Sequence, residues 1–266
     1  MNAIDKYNAR ADNVDSLLCI GLDSDLARLP KAFLNHETPQ LAFNRHIIDA
    51  TAEYAAAFKF NIAFYEVNGA AGWRQLAQSL EYLRQHHPDA LTICDAKRGD
   101  IGNTSAAYAR SIFIELGFDA VTLNPFLGRD ALQPFLDYSG KGCIILCRTS
   151  NPGAAEIQDL KVAGRPLWQL VAEKVAREWN DQRNCMLVVS ATNPDEMAQI
   201  RALTGDMTFL VPGIGAQGGD IEAVLKTGLN SAGRGLIINS SRGIIFADDP
   251  AGAAAALRAA INEHRP

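Results

Sequence analysis

The chain is 266 residues long, 48% hydrophobic and 21% charged, with a formal net charge of −5. That length suits one barrel of roughly 250 residues or two small domains, and the apolar share is that of an ordinary globular core. The acidic balance argues against a broad nucleic-acid surface, and no stretch approaches the roughly 20 uninterrupted apolar residues of a membrane span.

Residues 1–15 are polar and lack the apolar core of a signal peptide, so they are read as a lead into the first strand and the chain is expected to be cytoplasmic. Short β-rich runs then alternate with longer helical patterns. A strand is predicted over 17–23 with a helix over 39–54, then strand 57–61 with helix 73–86, strand 91–97 with helix 104–116, and strand 120–125 with helix 130–138. The strand over 143–149 is followed by 150–165, the longest connection without evident structure; at the C-terminal face of a barrel such a loop is expected to be a lid. Helix 166–180, strand 186–191 with helix 195–203, strand 208–213 with helix 221–226, and strand 235–240 with helix 250–263 complete the series. Pro166, Pro194 and Pro250 stand where helices start, and Gly117, Gly205 and Gly228 where they stop.

Eight such pairs predict a single-domain α/β protein of the (β/α)8 TIM-barrel class. A doubly wound open sheet would place a Gly-rich phosphate turn after its first strand. Here that strand ends Gly21-Leu22-Asp23-Ser24, and the Gly-rich turns come after strands seven and eight instead. The five cysteines, Cys19, Cys94, Cys143, Cys147 and Cys185, sit mostly in apolar runs and read as reduced core thiols. Cys143 and Cys147 would lie about 13 Å apart along one strand, too far for a disulfide.

Charges at the C-terminal ends of barrel strands are informative because such strands are otherwise apolar. Asp23 closes the first strand, Lys59 lies in the second, Asp95 and Lys97 close the third, and Asp100 follows. Asp95 and Lys97 are two residues apart and share a strand face. With Lys59 and Asp100 they make an alternating set of carboxylates and ammonium groups, in which opposite neighbours favour the charged form of each. A lysine so placed is a proton donor; a Schiff-base lysine would need a depressed pKa. Late in the chain, 211–220 ends a strand and opens a helix with Gly-rich backbone suited to an anion, and 239–243 brings Arg242, whose guanidinium grips phosphate bidentately. The histidines have no metal-ligand spacing, and neither a metal nor a redox cofactor is expected.

The run Asp95-Ala-Lys97-Arg-Gly-Asp100-Ile101-Gly-Asn-Thr104 resembles the signature of the orotidine 5'-phosphate decarboxylases, in the form of their longer bacterial (type 2) subgroup. Gly21-Leu22-Asp23, Phe58-Lys59-Phe60-Asn61, Pro212-Gly213-Ile214-Gly215 with Gln217, and Arg242-Gly243 occur in the family's order. The resemblance implies metal-free decarboxylation of orotidine 5'-monophosphate to UMP and CO2, the last step of de novo UMP synthesis. It implies that Lys97 protonates C6 while Asp95 lies beside the leaving carboxylate and orients Lys97. Lys59 and Asp23 would bind ribose hydroxyls, and Thr149 or Ser150 the pyrimidine. Pro212, Gly215, Gln217, Arg242 and Gly243 would contribute to the phosphate site. Asp100, Ile101 and Thr104 would project into a neighbouring subunit's site, which implies a homodimer.

Two rival readings are a Mg2+-dependent sugar-phosphate decarboxylase on a similar strand, disfavoured by Lys59 where a metal site would prefer an acidic ligand, and a catalytically dead nucleotide-binding barrel.

Overall fold

The computed structural model describes residues 1–214 and 220–265. Its central feature is a closed barrel of eight parallel strands: β1 (Leu18–Gly21), β2 (Ala57–Asn61), β3 (Leu91–Arg98), β4 (Ala120–Leu123), β5 (Gly142–Arg148), β6 (Cys185–Val189), β7 (Phe209–Pro212) and β8 (Leu236–Ser240). Each strand pairs with the next in chain order, and β8 closes on β1 through Leu18↔Ile238. The strands are almost wholly buried because the barrel interior packs one face and the helices cover the other, which is why they read as continuous apolar runs. The (β/α)8 expectation is met, with strand ends within a few residues of those predicted.

The principal helices are α1 (Ala3–Asn13), α2 (Pro39–Thr51), α3 (Gly69–His86), α4 (Gly102–Arg110), α5 (Arg129–Leu136), α6 (Leu167–Lys174), α7 (Pro194–Thr204), α8 (Ile221–Gly228) and α9 (Pro250–Glu263). Asp249 caps α9 by accepting the Gly252 N–H, and Asp220 caps α8 through Ala223 N–H. α4 and α6 each run on into a wider-pitched turn, Ser111–Leu116 and Val175–Trp179.

The N-terminal lead is where the structure departs furthest from the sequence reading. It is a helix, α1, whose Asn2 cap accepts the Asp5 N–H. The Tyr7 hydroxyl lies wholly buried between the carbonyls of Leu17 and Leu236, just ahead of β1 and at the start of β8. Arg10 donates to the carbonyls of Ala52 and Ala55 and pairs with Asp89, while Lys6 pairs with Asp119. Apart from Ala52, the C-cap of α2, these partners lie at or just ahead of strand starts, so α1 covers the mouth of the barrel opposite the site described below. Its buried stripe, Ala3, Tyr7, Arg10 and Ala11, holds one large apolar body on an otherwise polar segment, so the helix is amphipathic yet reads as a polar lead.

The 150–165 connection also carries structure: a short helix, Ala154–Gln158, and a hairpin pairing Lys161–Val162 with Arg165–Pro166. The hairpin turns on Ala163 and Gly164, both at positive φ, as a two-residue turn matched to strand twist requires. Arg148, at the end of β5, is buried and ties this segment to the barrel. Its guanidinium meets Glu196 on α7 and reaches Asp159 at 3.4 Å.

Candidate active site

At the C-terminal end of the barrel lies a cavity of about 490 Å3. Gly21 pairs with Lys59 across β1 and β2, and Asn61 with Asp95 across β2 and β3, so Lys59 starts two residues below Asp95 and three neighbouring strand ends bring charge to one side of the cavity. Between β3 and β4 the register slips. Cys94 faces Val121 but Arg98 faces Leu123, which leaves two extra residues on β3. The bulge falls on the charged segment, and Lys97 within it has a φ of 48°, unusual for a side-chain-bearing residue.

Four ionic groups form a chain across the cavity floor. Lys59 Nζ lies 3.6 Å from Asp23 Oδ1 and 3.2 Å from Asp95 Oδ2, and Lys97 Nζ lies 2.7 Å from Asp95 Oδ1. Thr122 on β4 donates to the same Asp95 oxygen at 2.9 Å and accepts the Lys97 backbone N–H at 2.9 Å. Burial alone would push the Asp95 carboxyl up. The ammonium groups of Lys59 and Lys97, with the hydrogen bonds from Lys97 and Thr122, instead hold it well below the usual carboxylate range. Desolvation would likewise lower Lys59, but the facing carboxylates of Asp23 and Asp95 raise it above the ordinary lysine value. Lys59 is therefore a fixed cation. The Lys97 side chain, at 51% exposed, is the group of the chain that extends into open space.

The alternation expected from the sequence is present with one change of membership: it runs Asp23, Lys59, Asp95, Lys97. Asp100 lies apart, its carboxylate accepting the Ile101 N–H at 2.8 Å. Asp100, Ile101 and Thr104 do not line this chain's own cavity, and Ile101 and Thr104 are exposed.

The wall opposite the ionic chain comes from β5, β6, β7 and β8. Leu146, Val188 and Leu210 supply an apolar surface, and Thr149 and Ser150 line the cavity at the end of β5. Gln158, from the short helix of the connection, folds back to accept the Thr149 N–H at 3.0 Å and donate to Thr149 Oγ1 at 2.8 Å. Pro212, Arg242 and the turn residues beside them form the rim, and Gly243 follows in a short helix, Arg242–Ile245. Arg242 pairs with no carboxylate among the described residues. Gly215 and Gln217 lie outside the described residues.

Two acceptors in the cavity wall, Asp23 Oδ1 and Asn239 Oδ1, are buried with no hydrogen-bond partner among the described residues. Asp23 Oδ1 has the Lys59 ammonium at 3.6 Å as its ion-pair partner, and both oxygens keep capacity to accept a hydrogen bond from a ligand donor. Thr122, Gln158 and Asn239 were not singled out from the sequence. They carry no charge, and only the barrel register or the fold-back of the connection brings them to the site.

A family model described as orotidine 5'-phosphate decarboxylase / HUMPS family matches residues 16–257. A protein named orotidine 5'-phosphate decarboxylase from an Azoarcus species is 49% identical over 251 residues, covering 94% of this chain and 92% of its own. Another so named, from Cellvibrio japonicus, is 48% identical over 269 residues, covering 99% and 97%. Among solved structures, the Leishmania donovani OMP decarboxylase superposes with a TM-score of 0.89 at 40% identity, covering 99% of this chain and 98% of its own. The chain belongs to the orotidine 5'-phosphate decarboxylase / HUMPS family.

Proposed function

We propose that the protein decarboxylates orotidine 5'-monophosphate to UMP and CO2 without a metal, Lys97 delivering a proton to C6. The observation that carries this reading is the chain Asp23–Lys59–Asp95–Lys97, in which a buried carboxylate is held between two ammonium groups and a hydroxyl. Loss of CO2 leaves an electron pair at C6 in an orbital that the ring cannot delocalise. An ammonium preorganised at that point stabilises the developing carbanion and then quenches it. Asp95 fixes Lys97 at 2.7 Å and, being ionised, sits as a like charge beside the departing carboxylate. Both Asp95 oxygens are already engaged by Lys59, Lys97 and Thr122, a donor set that leaves the carboxylate poorly disposed to ligate a cation.

The rest of the substrate is assigned by complementarity. Ribose hydroxyls would meet Asp23 Oδ1, which accepts no hydrogen bond among the described residues, and the Lys59 ammonium. The pyrimidine would lie against the apolar wall with Thr149 or Ser150 at its polar edge, and the phosphate would take Arg242 at the rim beside Pro212 and Gly243, with Gly215 and Gln217 from the adjacent turn. The cavity volume is in the range of small-molecule sites. Segment 150–165 serves as the lid, and remote phosphate binding energy drives its closure.

A homodimer completes the site, with Asp100, Ile101 and Thr104 lent to the partner. Support comes from large apolar side chains left exposed beside the third and fourth strands, Ile101 at 62% and Phe126 at 79%. The deciding experiment is a decarboxylation assay on orotidine 5'-monophosphate with chelator present. CO2 release that persists in EDTA is expected. Activity that vanishes with EDTA and returns with Mg2+ would replace this reading with metal-dependent chemistry, and UMP binding without CO2 release would mark a dead barrel.

A further inference from the structure

We propose that Arg98 is a positioning residue for Lys97, locked from outside the cavity by Glu66 and Tyr108. The inference rests on the reading of Lys97 as proton donor. Lys97 holds a left-handed backbone conformation that a side chain disfavours and that persists only where neighbours over-determine it. Three contacts do so here. The Lys97 N–H donates to Thr122 Oγ1, and the Arg98 carbonyl accepts the Asn124 N–H at 2.7 Å, so β4 and the residue after it grip the backbone within the bulge and at its end. The third contact comes from Arg98 itself, whose Nη1 reaches back to the Ala96 carbonyl at 3.1 Å.

That carbonyl belongs to the peptide leading into Lys97. If the peptide rotated, the lysine side chain would leave from its Cα in a different direction and Nζ would depart from Asp95. Arg98 is not among the cavity-lining residues, so its guanidinium acts on the backbone and not on substrate. Its remaining capacity is taken up elsewhere. Nη2 pairs with the Glu66 carboxylate on the short helix Ala63–Glu66 that follows β2, and the guanidinium lies over the Tyr108 ring of α4, 5.1 Å from its centroid. Glu66 and Tyr108 come from the elements on either side of the β3 end, so the planar cation spans both while holding the Ala96 oxygen. A lysine is a point charge with no planar face and cannot satisfy all three partners at once. The segment has little slack: a Cβ at Gly99 would meet the Asn124 carbonyl oxygen at 2.5 Å.

The test uses full-length Arg98→Ala, Arg98→Lys and Glu66→Gln, assayed for turnover of orotidine 5'-monophosphate, UMP affinity and oligomeric state at the assay concentration. Lys97→Ala serves as the control for the underlying reading. A misplaced catalytic group should lower kcat about tenfold or more in Arg98→Ala, with Arg98→Lys recovering only part of it. KM and UMP affinity should stay within about threefold of wild type, and the oligomeric state should not change. Glu66→Gln should lower kcat in the same direction, and adding it to Arg98→Ala should cost little more, because the two act as one unit.

Wild-type kcat in Arg98→Ala would overturn the inference. So would a loss of UMP affinity that tracks the loss of kcat, or activity that returns on raising the protein concentration, which would make Arg98 an interface residue. If Arg98→Ala does not fold, Arg98→Lys and Glu66→Gln carry the same outcomes. An active Lys97→Ala would sink the proton-donor reading itself, whatever the Arg98 variants do.

Discussion

Asp95→Asn removes the shared counter-charge of the ionic chain, and the structure indicates what that costs. The Asp95 side chain is 11% exposed and that of Lys59 6%. Substitution removes the nearer carboxylate of Lys59, at 3.2 Å, and leaves Asp23 at 3.6 Å. Lys97 is half exposed and can turn to solvent, whereas Lys59 cannot. Stripping one partner from a buried pair costs about 3–5 kcal/mol, and with Asp23 still in place the lower end, about 3 kcal/mol, is expected at pH 7. For a chain of this size that corresponds to a Tm lower by roughly 6–12 °C.

The pH dependence has a definite sign. The folded-state carboxyl is depressed relative to about 3.9 in an unfolded chain, so its contribution is in full force well above pH 4 and is lost as pH falls toward the folded value. Urea unfolding at pH 7 and along a series down to about pH 3 should therefore show the gap between wild type and Asp95→Asn narrowing at the acid end. Adding Lys59→Met removes the stranded ammonium and should restore about half of the lost stability or more. An Asp95→Asn protein as stable as wild type at pH 7, or a double variant less stable than the single, would refute the reasoning.

Lys97→Ala should abolish turnover while changing unfolding stability by no more than about 1 kcal/mol, since the ammonium removed is half exposed and Asp95 keeps Lys59 and Thr122; measurable kcat in the variant would sink its role. Mixing Lys97→Ala with Asp100→Ala protein should restore part of the activity, because a mixed dimer can hold one site with both residues intact; no recovery after demonstrated subunit exchange counts against shared sites. Arg242→Ala should raise KM for the nucleotide by about 10- to 150-fold, the equivalent of losing charge-assisted hydrogen bonds worth about 1.5–3 kcal/mol, and an unchanged KM would remove Arg242 from the phosphate site. Tyr7→Phe leaves the buried Leu236 carbonyl without its donor and should cost about 1–3 kcal/mol in urea unfolding with kcat unaffected, because α1 covers the far end of the barrel.

Much of this architecture could be read along the chain because buried parallel strands and amphipathic helices alternate with different periods. The two segments whose secondary structure is not legible that way, α1 and 150–165, fail that test for physical reasons. α1 packs with alanines, a tyrosine and an arginine whose guanidinium is satisfied by carbonyls of the connection between α2 and β2, so the segment is polar overall although one face is buried. The 150–165 segment is held by Arg148 and Gln158 pointing back at the barrel, contacts 9 to 48 residues apart in sequence. No local pattern encodes them.

The site divides along the same line. Asp23, Lys59, Asp95 and Lys97 were legible because a charge inside a buried strand needs a partner, and four such charges on three adjacent strands can only partner one another. By spacing Asp100 reads as a member of the alternating set in the place that Asp23 takes, yet the bulge in β3 turns the chain after Lys97 and Asp100 leaves the cavity. Spacing of two along a regular strand sets a face; past a bulge it no longer does. The same irregularity carries Lys97 into its left-handed conformation and gives Arg98 a carbonyl to hold. A residue recognised in the sequence only as the neighbour of a lysine thus becomes, once the backbone is seen, a candidate for what aims it.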